Sequence, residues 1–153
     1  MLQIFEATAD QISIAKELFL EYARSLDFDL AFQDFEKEVA ALPGAYSDPD
    51  GCILLAFQDA EVAGCVALRR LEPGIGEMKR LYVKPKFQKR GMGRALANAV
   101  IEKAAQFGYP KIRLDTVPTM QAAIQMYRSM GFYSIAPYRE NPISGASYLE
   151  KEI

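Results

Sequence analysis

Gln88-Lys89-Arg90-Gly91-Met92-Gly93 follows Leu81-Tyr82-Val83-Lys84-Pro85 and runs into the apolar pattern of Arg94 to Phe107. A hydrophobic strand signature closes at a proline, a short basic glycine loop follows, and a helix begins. Such an arrangement suits an anion. The first amides of a helix have no intrahelical acceptor and sit at the positive end of its dipole. Glycine lets the backbone approach a phosphate closely and take up angles that a side chain forbids. The segment therefore predicts a pyrophosphate cradle.

Charge points the same way. Lys79, Arg80, Lys84, Lys86, Lys89, Arg90 and Arg94 fall in one stretch without an acidic residue, in a chain with 18 basic and 20 acidic residues. One cationic stretch on an otherwise acidic chain implies one local polyanion site; a solvated basic face is the plainer alternative. A net charge of −2 and a pI near 5.3 argue against nucleic acid as the partner. The loop is not a nucleoside-triphosphate loop, because Arg94 and Ala95 follow Gly93 where lysine and serine or threonine are needed. Nor is it a dinucleotide loop, since the third glycine is missing.

The segment Gln88-x-x-Gly91-x-Gly93 does resemble motif A, Q/R-x-x-G-x-G/A, of the GNAT superfamily of N-acetyltransferases. The preceding Leu-Tyr-Val-x-Pro strand and the later Ala123-Ile124-x-x-Tyr127-x-x-x-Gly131-Phe132 match that superfamily in order and spacing, over roughly residues 76 to 134. The resemblance implies acetyl-CoA as co-substrate, with Gln88, Lys89, Arg90, Gly91, Met92, Gly93 and Arg94 around its pyrophosphate. It also implies that the backbone of Leu81, Tyr82 and Val83 pairs with pantetheine as an added strand. One departure stands out: Met120 occupies the place where many relatives carry an asparagine that bonds the pantetheine arm.

At 153 residues the chain reads as a single domain of ordinary globular composition, half hydrophobic and a quarter charged. No apolar run approaches a membrane span and no signal-peptide pattern opens the chain, so a cytoplasmic protein without membrane partners is expected. There is no histidine. Its absence removes Ser-His-Asp and Cys-His chemistry and leaves no expectation of a metal site. Cys52 and Cys65 read as small buried hydrophobes on neighbouring strands rather than as nucleophiles.

The predicted order begins with a strand at 3–7, a capping box at Thr8 to Gln11 and a helix with Ile12, Ala15, Leu18, Phe19, Tyr22 and Ala23 on one face. A short helix over 32–42 follows. Residues 52–58 and 62–70 form a hairpin around Asp59-Ala60-Glu61, and a strand spans 77–83. After the loop comes a helix with Leu96, Ala97, Val100, Ile101, Ala104 and Ala105 facing inward. A strand at 111–116, a helix capped by Thr119 and ended by Gly131, and strands at 132–135 and 147–153 complete the chain. The expected fold is α/β (α+β): a mixed, mostly antiparallel GNAT-type sheet flanked by helices.

Acetyl transfer to an amine needs a group to take the amine's proton and an acid for the departing thiolate. By spacing alone Tyr127 reads first as a core tyrosine with a satisfied hydroxyl; the resemblance reverses that and implies that it is the acid. Glu77, at the start of its strand, is expected as the base, against the alternative of a surface glutamate paired with Lys79 or Arg69. By resemblance the acceptor, a small-molecule or peptide amine, enters between the aromatic segment of Tyr22, Phe28, Phe32, Phe35 and Tyr46 and the one with Tyr133, Tyr138 and Asn141-Pro142; most of these aromatics read as core. The reading is an acetyl-CoA-dependent N-acetyltransferase working by direct attack in a ternary complex. Its rival is a non-catalytic acyl-CoA-binding or regulatory module of the same fold, and a homodimer stays open.

Overall fold

The computed structural model describes residues 1–26, 29–30 and 34–153. Its strands are β1 (Leu2–Glu6), β2 (Cys52–Gln58), β3 (Glu61–Glu72), β4 (Ile75–Val83), β5 (Lys111–Thr116), β6 (Tyr133–Ser134) and β7 (Ser147–Glu152). Its helices are α1 (Ile12–Ser25), α2 (Phe35–Ala40), α3 (Met92–Gln106) and α4 (Gln121–Ser129). All seven strands form one sheet in the order β1-β2-β3-β4-β5-β7-β6. Neighbours are antiparallel except β4 and β5, which run parallel. No helix among the described residues is long and apolar enough to cross a membrane.

The two faces of the sheet bury different partners. One face packs Met78, Val66, Leu68 and Leu114 against Leu96, Ala97, Val100 and Ala104 of α3 and Tyr127 of α4. The other packs Ile53, Leu55, Cys65 and Ala67 against Ala15, Leu18 and Phe19 of α1, with Phe35 and Tyr46. The inward stripe of α3 starts at Met92 and excludes Ala105, which is exposed. Phe28 and Phe32, expected near the acceptor, lie outside the described residues, as does the start of the second predicted helix.

Three local features differ from the sequence expectations. α3 begins at Met92 rather than Arg94, with Gly91 as its N-cap at φ +77°. The cap position of α4 is Met120, and no side chain caps the helix there, so Thr119 does not have the expected role. The far end of α4 does close as expected: Gly131 has φ +98°, and the Phe132 amide donates to the Tyr127 carbonyl at 3.1 Å. Finally, β4 starts at Ile75, which carries Glu77 from the strand's edge into its interior.

One irregularity shapes the centre of the sheet. Along β3 and β4 the register runs from Cys65↔Tyr82 to Ala67↔Lys79, so β4 holds one extra residue there. Arg80 takes it up with φ +60°, an angle unusual for a residue with a side chain. The Cys65 thiol donates to the Arg80 carbonyl oxygen at 3.3 Å. Pairing of β4 with β5 ends at Glu77↔Arg113. Beyond that point the two parallel strands diverge and leave the β5-facing edge of β4 without a strand partner.

Candidate active site

The glycine loop forms the rim of a cleft of about 680 Å³, lined by Leu81, Val83, Phe87, Gln88, Lys89, Gly91, Met92, Gly93 and Arg94 together with Thr119, Met120, Ala122, Ala123 and Met126. Among the described residues, the amides of residues 89 to 94 have no backbone acceptor, and the first such bond comes from Ala95 to the Gly91 carbonyl at 3.1 Å. Those donors are available to an anion. The loop is also open where a phosphate would sit. A Cβ built at Gly91 meets nothing within 4 Å, and one at Gly93 meets only the Met126 sulfur at 4.0 Å. Gln88 points elsewhere: its Nε2 donates to the Val83 carbonyl at 2.9 Å and fixes the strand-to-loop turn.

The seven basic residues do not form one patch, contrary to the expectation of a single polyanion site. Lys84 pairs with Glu21 at 3.0 Å and Lys86 with Glu61 at 2.9 Å. Lys79 and Arg80 are buried on the opposite face of the sheet. That leaves Lys89 and Arg94 lining the cleft, Arg94 donating to the Ser129 hydroxyl, and Arg90 on the loop over the ring of Phe87, which also lines the cleft. Three cations suit a pyrophosphate as well as seven do. The other four serve the fold and a second site.

A narrow crevice of about 90 Å³ opens where β4 and β5 part. It shares Leu81, Met120 and Ala123 with the large cleft. Its remaining walls are Met78, Leu114, Thr116 and Tyr127 together with Tyr22, Lys79, Arg80 and Asp115. The crevice therefore joins the loop side of the sheet to the face that carries α1 and α2. Tyr127 stands in its wall, 6% exposed, edge-on to Phe132 at 5.5 Å. Among the described residues its hydroxyl has no hydrogen-bond partner, unlike a core tyrosine with a satisfied hydroxyl. Burial pushes the phenol well above its ordinary range, so it stays protonated.

Glu77 is fully buried and does not line the crevice. Its Oε1 accepts from Arg69 Nε at 2.8 Å; its Oε2 accepts from the Tyr138 hydroxyl at 2.9 Å and from Arg139. The pairing with Arg69 was foreseen, but it is an interior contact rather than a surface one. Burial alone raises a carboxyl's pKa. Here the charges of Lys79, Arg139 and Arg69, with the Arg139 hydrogen bond, more than offset burial and hold Glu77 below its usual range. Lys79, two residues along the same face, is also buried. Desolvation outweighs the pull of Glu77 and lowers its ammonium to about 7.

Sequence reasoning missed Arg139 and Asp115. Arg139 lies in the segment between β6 and β7, held by the Tyr148 hydroxyl on its carbonyl at 2.9 Å. It spans Glu77 of β4 and Asp115 of β5, reaching Asp115 Oδ1 at 3.3 Å. Nothing local in the sequence marks either residue. Of the other aromatics, Tyr22 lines the crevice, Phe35 and Tyr46 are core, and Tyr133 bonds Glu150 away from it. Cys52 and Cys65 are free and buried. Burial raises the Cys52 thiol to about 12 and Cys65 higher still, so neither is a ready nucleophile.

Comparison with known proteins agrees with this geometry. The chain is 36% identical over 140 residues to an uncharacterized N-acetyltransferase of Schizosaccharomyces pombe, covering 90% of this chain and 86% of that protein. It is 32% identical over 119 residues to N-acetylaspartate synthetase of Rattus norvegicus, covering 75% of this chain but 40% of that one. The PaiA N-acetyltransferase of Thermoplasma acidophilum, solved in complex with coenzyme A, superimposes with a TM-score of 0.74 at 18% identity, covering 100% of this chain and 99% of the other. The family model described as the acetyltransferase (GNAT) family matches residues 13–132, and the chain belongs to that family.

Proposed function

We propose that this protein moves an acetyl group from acetyl-CoA to the primary amine of a small acceptor, by direct attack with both substrates bound. The crevice at the β4–β5 divergence carries this reading, because it connects the phosphate-side cleft to the polar face bearing Lys79, Arg80 and Asp115. The open loop with its unpaired amides fits the pyrophosphate, and the free edge of Leu81-Tyr82-Val83 fits the pantetheine amides. The rat relative is named for an N-acetylated amino acid, which favours a small acceptor.

The acceptor nitrogen attacks the thioester carbonyl carbon, and the carbon–sulfur bond breaks. Tyr127, neutral and without a competing hydrogen bond, supplies the proton that the departing sulfur takes up. The nitrogen's proton passes to Lys79, whose neutral form is populated near pH 7 and which lines the crevice. Glu77 is then a positioning residue: it holds Arg69, Tyr138 and Arg139 and sets the charge around Lys79. With both cysteines buried and protonated, a route through an acetylated thiol has no support.

Thiol release from acetyl-CoA across a panel of amines, with product masses, tests the reading. Acetylated product together with stoichiometric thiol supports it. Tight acetyl-CoA binding by calorimetry with no amine-dependent thiol release would favour the non-catalytic module.

A further inference from the structure

Besides the Tyr127 hydroxyl, one polar atom in the wall of the crevice is left unsatisfied by the fold. Among the described residues, Asp115 Oδ2 is the buried side-chain oxygen or nitrogen with no hydrogen-bond partner. The Asp115 side chain is 8% exposed, and its other oxygen accepts from Arg139 at 3.3 Å. A buried carboxylate oxygen without a donor is costly, and folded proteins keep few of them. This one stands on β5 two residues past Arg113, the last to pair with β4, where the strands have begun to part. Asp115 lines the crevice with Lys79, Arg80 and Tyr127.

The surrounding charges indicate what the oxygen awaits. Glu38, Glu77 and Asp115 are matched by Arg80, Arg69 and Arg139 through the ion pairs of this face. Those guanidiniums are directed at other oxygens, so they leave Oδ2 to an incoming donor. An ammonium group brings N–H donors and positive charge to a site whose three carboxylates and three guanidiniums balance when Lys79 is neutral, the form in which Lys79 can take a proton.

We propose that Asp115 Oδ2 is the atom that receives the acceptor's primary ammonium group, making Asp115 the positioning residue for the nucleophile. This rests on the acyl-transfer reading for its purpose, though not for its test. The requirement is for a small, N–H-bearing cation. A quaternary ammonium, equal in charge but without a donor, has nothing to offer Oδ2.

The test uses the whole protein labelled with ¹³C, titrated with methylammonium chloride and, separately, with tetramethylammonium chloride at matched ionic strength. The expected result is a saturable shift of the Asp115 carboxyl signal with methylammonium and none with tetramethylammonium. In Asp115→Asn, the saturable shifts of the neighbouring Leu114 and Thr116 amides should be lost. Equal shifts with both cations, or no saturable shift with methylammonium, would overturn the proposal. Acetyl-CoA calorimetry on the same sample separates the two readings. Loss of cofactor binding with a normal methylammonium response counts against the transferase and leaves the Asp115 assignment standing.

Discussion

Arg80 of β4 and Glu38 of α2 meet at two points, Nε to Oε2 at 2.8 Å and Nη2 to Oε1 at 2.8 Å. The guanidinium is 3% exposed and lies over the Phe35 ring at 5.2 Å. Through this pair the bulge that opens the crevice is tied to α2, and the position of a helix reports on the shape of the site. A buried two-point pair is geometrically specific, and breaking one partner costs more than removing both.

Glu38→Met should therefore lower stability by about 3 kcal/mol, read from the urea midpoint at unchanged slope. Adding Arg80→Met should recover part of that loss. A double variant whose loss equals the sum of the singles would show that the pair does not couple bulge and helix.

The two loop glycines make a graded test. Gly93 has no positive φ, and its added Cβ contacts only Met126 at van der Waals distance, so Gly93→Val should keep the fold. The branched side chain projects into the cleft. Acetyl-CoA affinity should fall about tenfold, or about 1.4 kcal/mol, by calorimetry, whereas Gly93→Ala, which the motif itself allows, should bind nearly as the native chain does. Gly91→Ala must also hold a side chain at φ +77°, which costs about 1 kcal/mol or more of stability. If Gly93→Val binds acetyl-CoA with native affinity, the phosphate does not sit on this loop.

For Tyr127→Phe, the unpartnered hydroxyl makes two expectations diverge. Deleting a satisfied buried hydroxyl usually costs about 1 kcal/mol, and here nothing is satisfied, so the melting temperature should hold. The rate of thiol release should drop about 10²-fold if the hydroxyl is the acid. Lost stability with an unchanged rate would return Tyr127 to the core.

What could be read in the sequence and what could not follow from distance along the chain. The loop Gln88 to Gly93 with α3, and the segment Ala123 to Phe132, are contiguous, and each carries its own chemistry in local spacing. The hairpin turn likewise declared itself at Asp59-Ala60, both with positive φ. The face proposed for the acceptor is assembled otherwise. Arg139 meets Glu77 across 62 positions, and Tyr138 meets it across 61. No periodicity encodes such meetings. The bulge was hidden for another reason: a residue with a side chain, Arg80, adopts the angle for which glycine would have been the signal. Counting cations failed because Lys79 and Arg80 are both buried on the far face of the sheet, where the bulge breaks strand alternation, and because Lys84 and Lys86 pair with Glu21 and Glu61, carboxylates distant in the sequence.

The last prediction separates Lys79 from Glu77. Lys79 titrates near 7 in the folded protein and near its ordinary 10.5 when unfolded. Between those values the unfolded chain holds a proton that the folded one has released, so stability rises with pH across that window and is flat below it. Lys79→Met should abolish that rise, read as the urea midpoint from pH 6 to 10. If Lys79 also takes the amine's proton, kcat should climb with pH to a plateau just above about 7, and Lys79→Met should remove this limb. Glu77→Gln acts differently under the two assignments. Were Glu77 the base, the variant would lose the limb. With Lys79 as base, removing the carboxylate takes away the charge that sustains the ammonium, so the limb persists and moves to lower pH. Glu77→Gln also leaves Arg69 and Arg139 with less counter-charge, and its stability should fall. The position of the limb in the folded fraction, rather than the height of the plateau, therefore decides which of the two residues receives the proton.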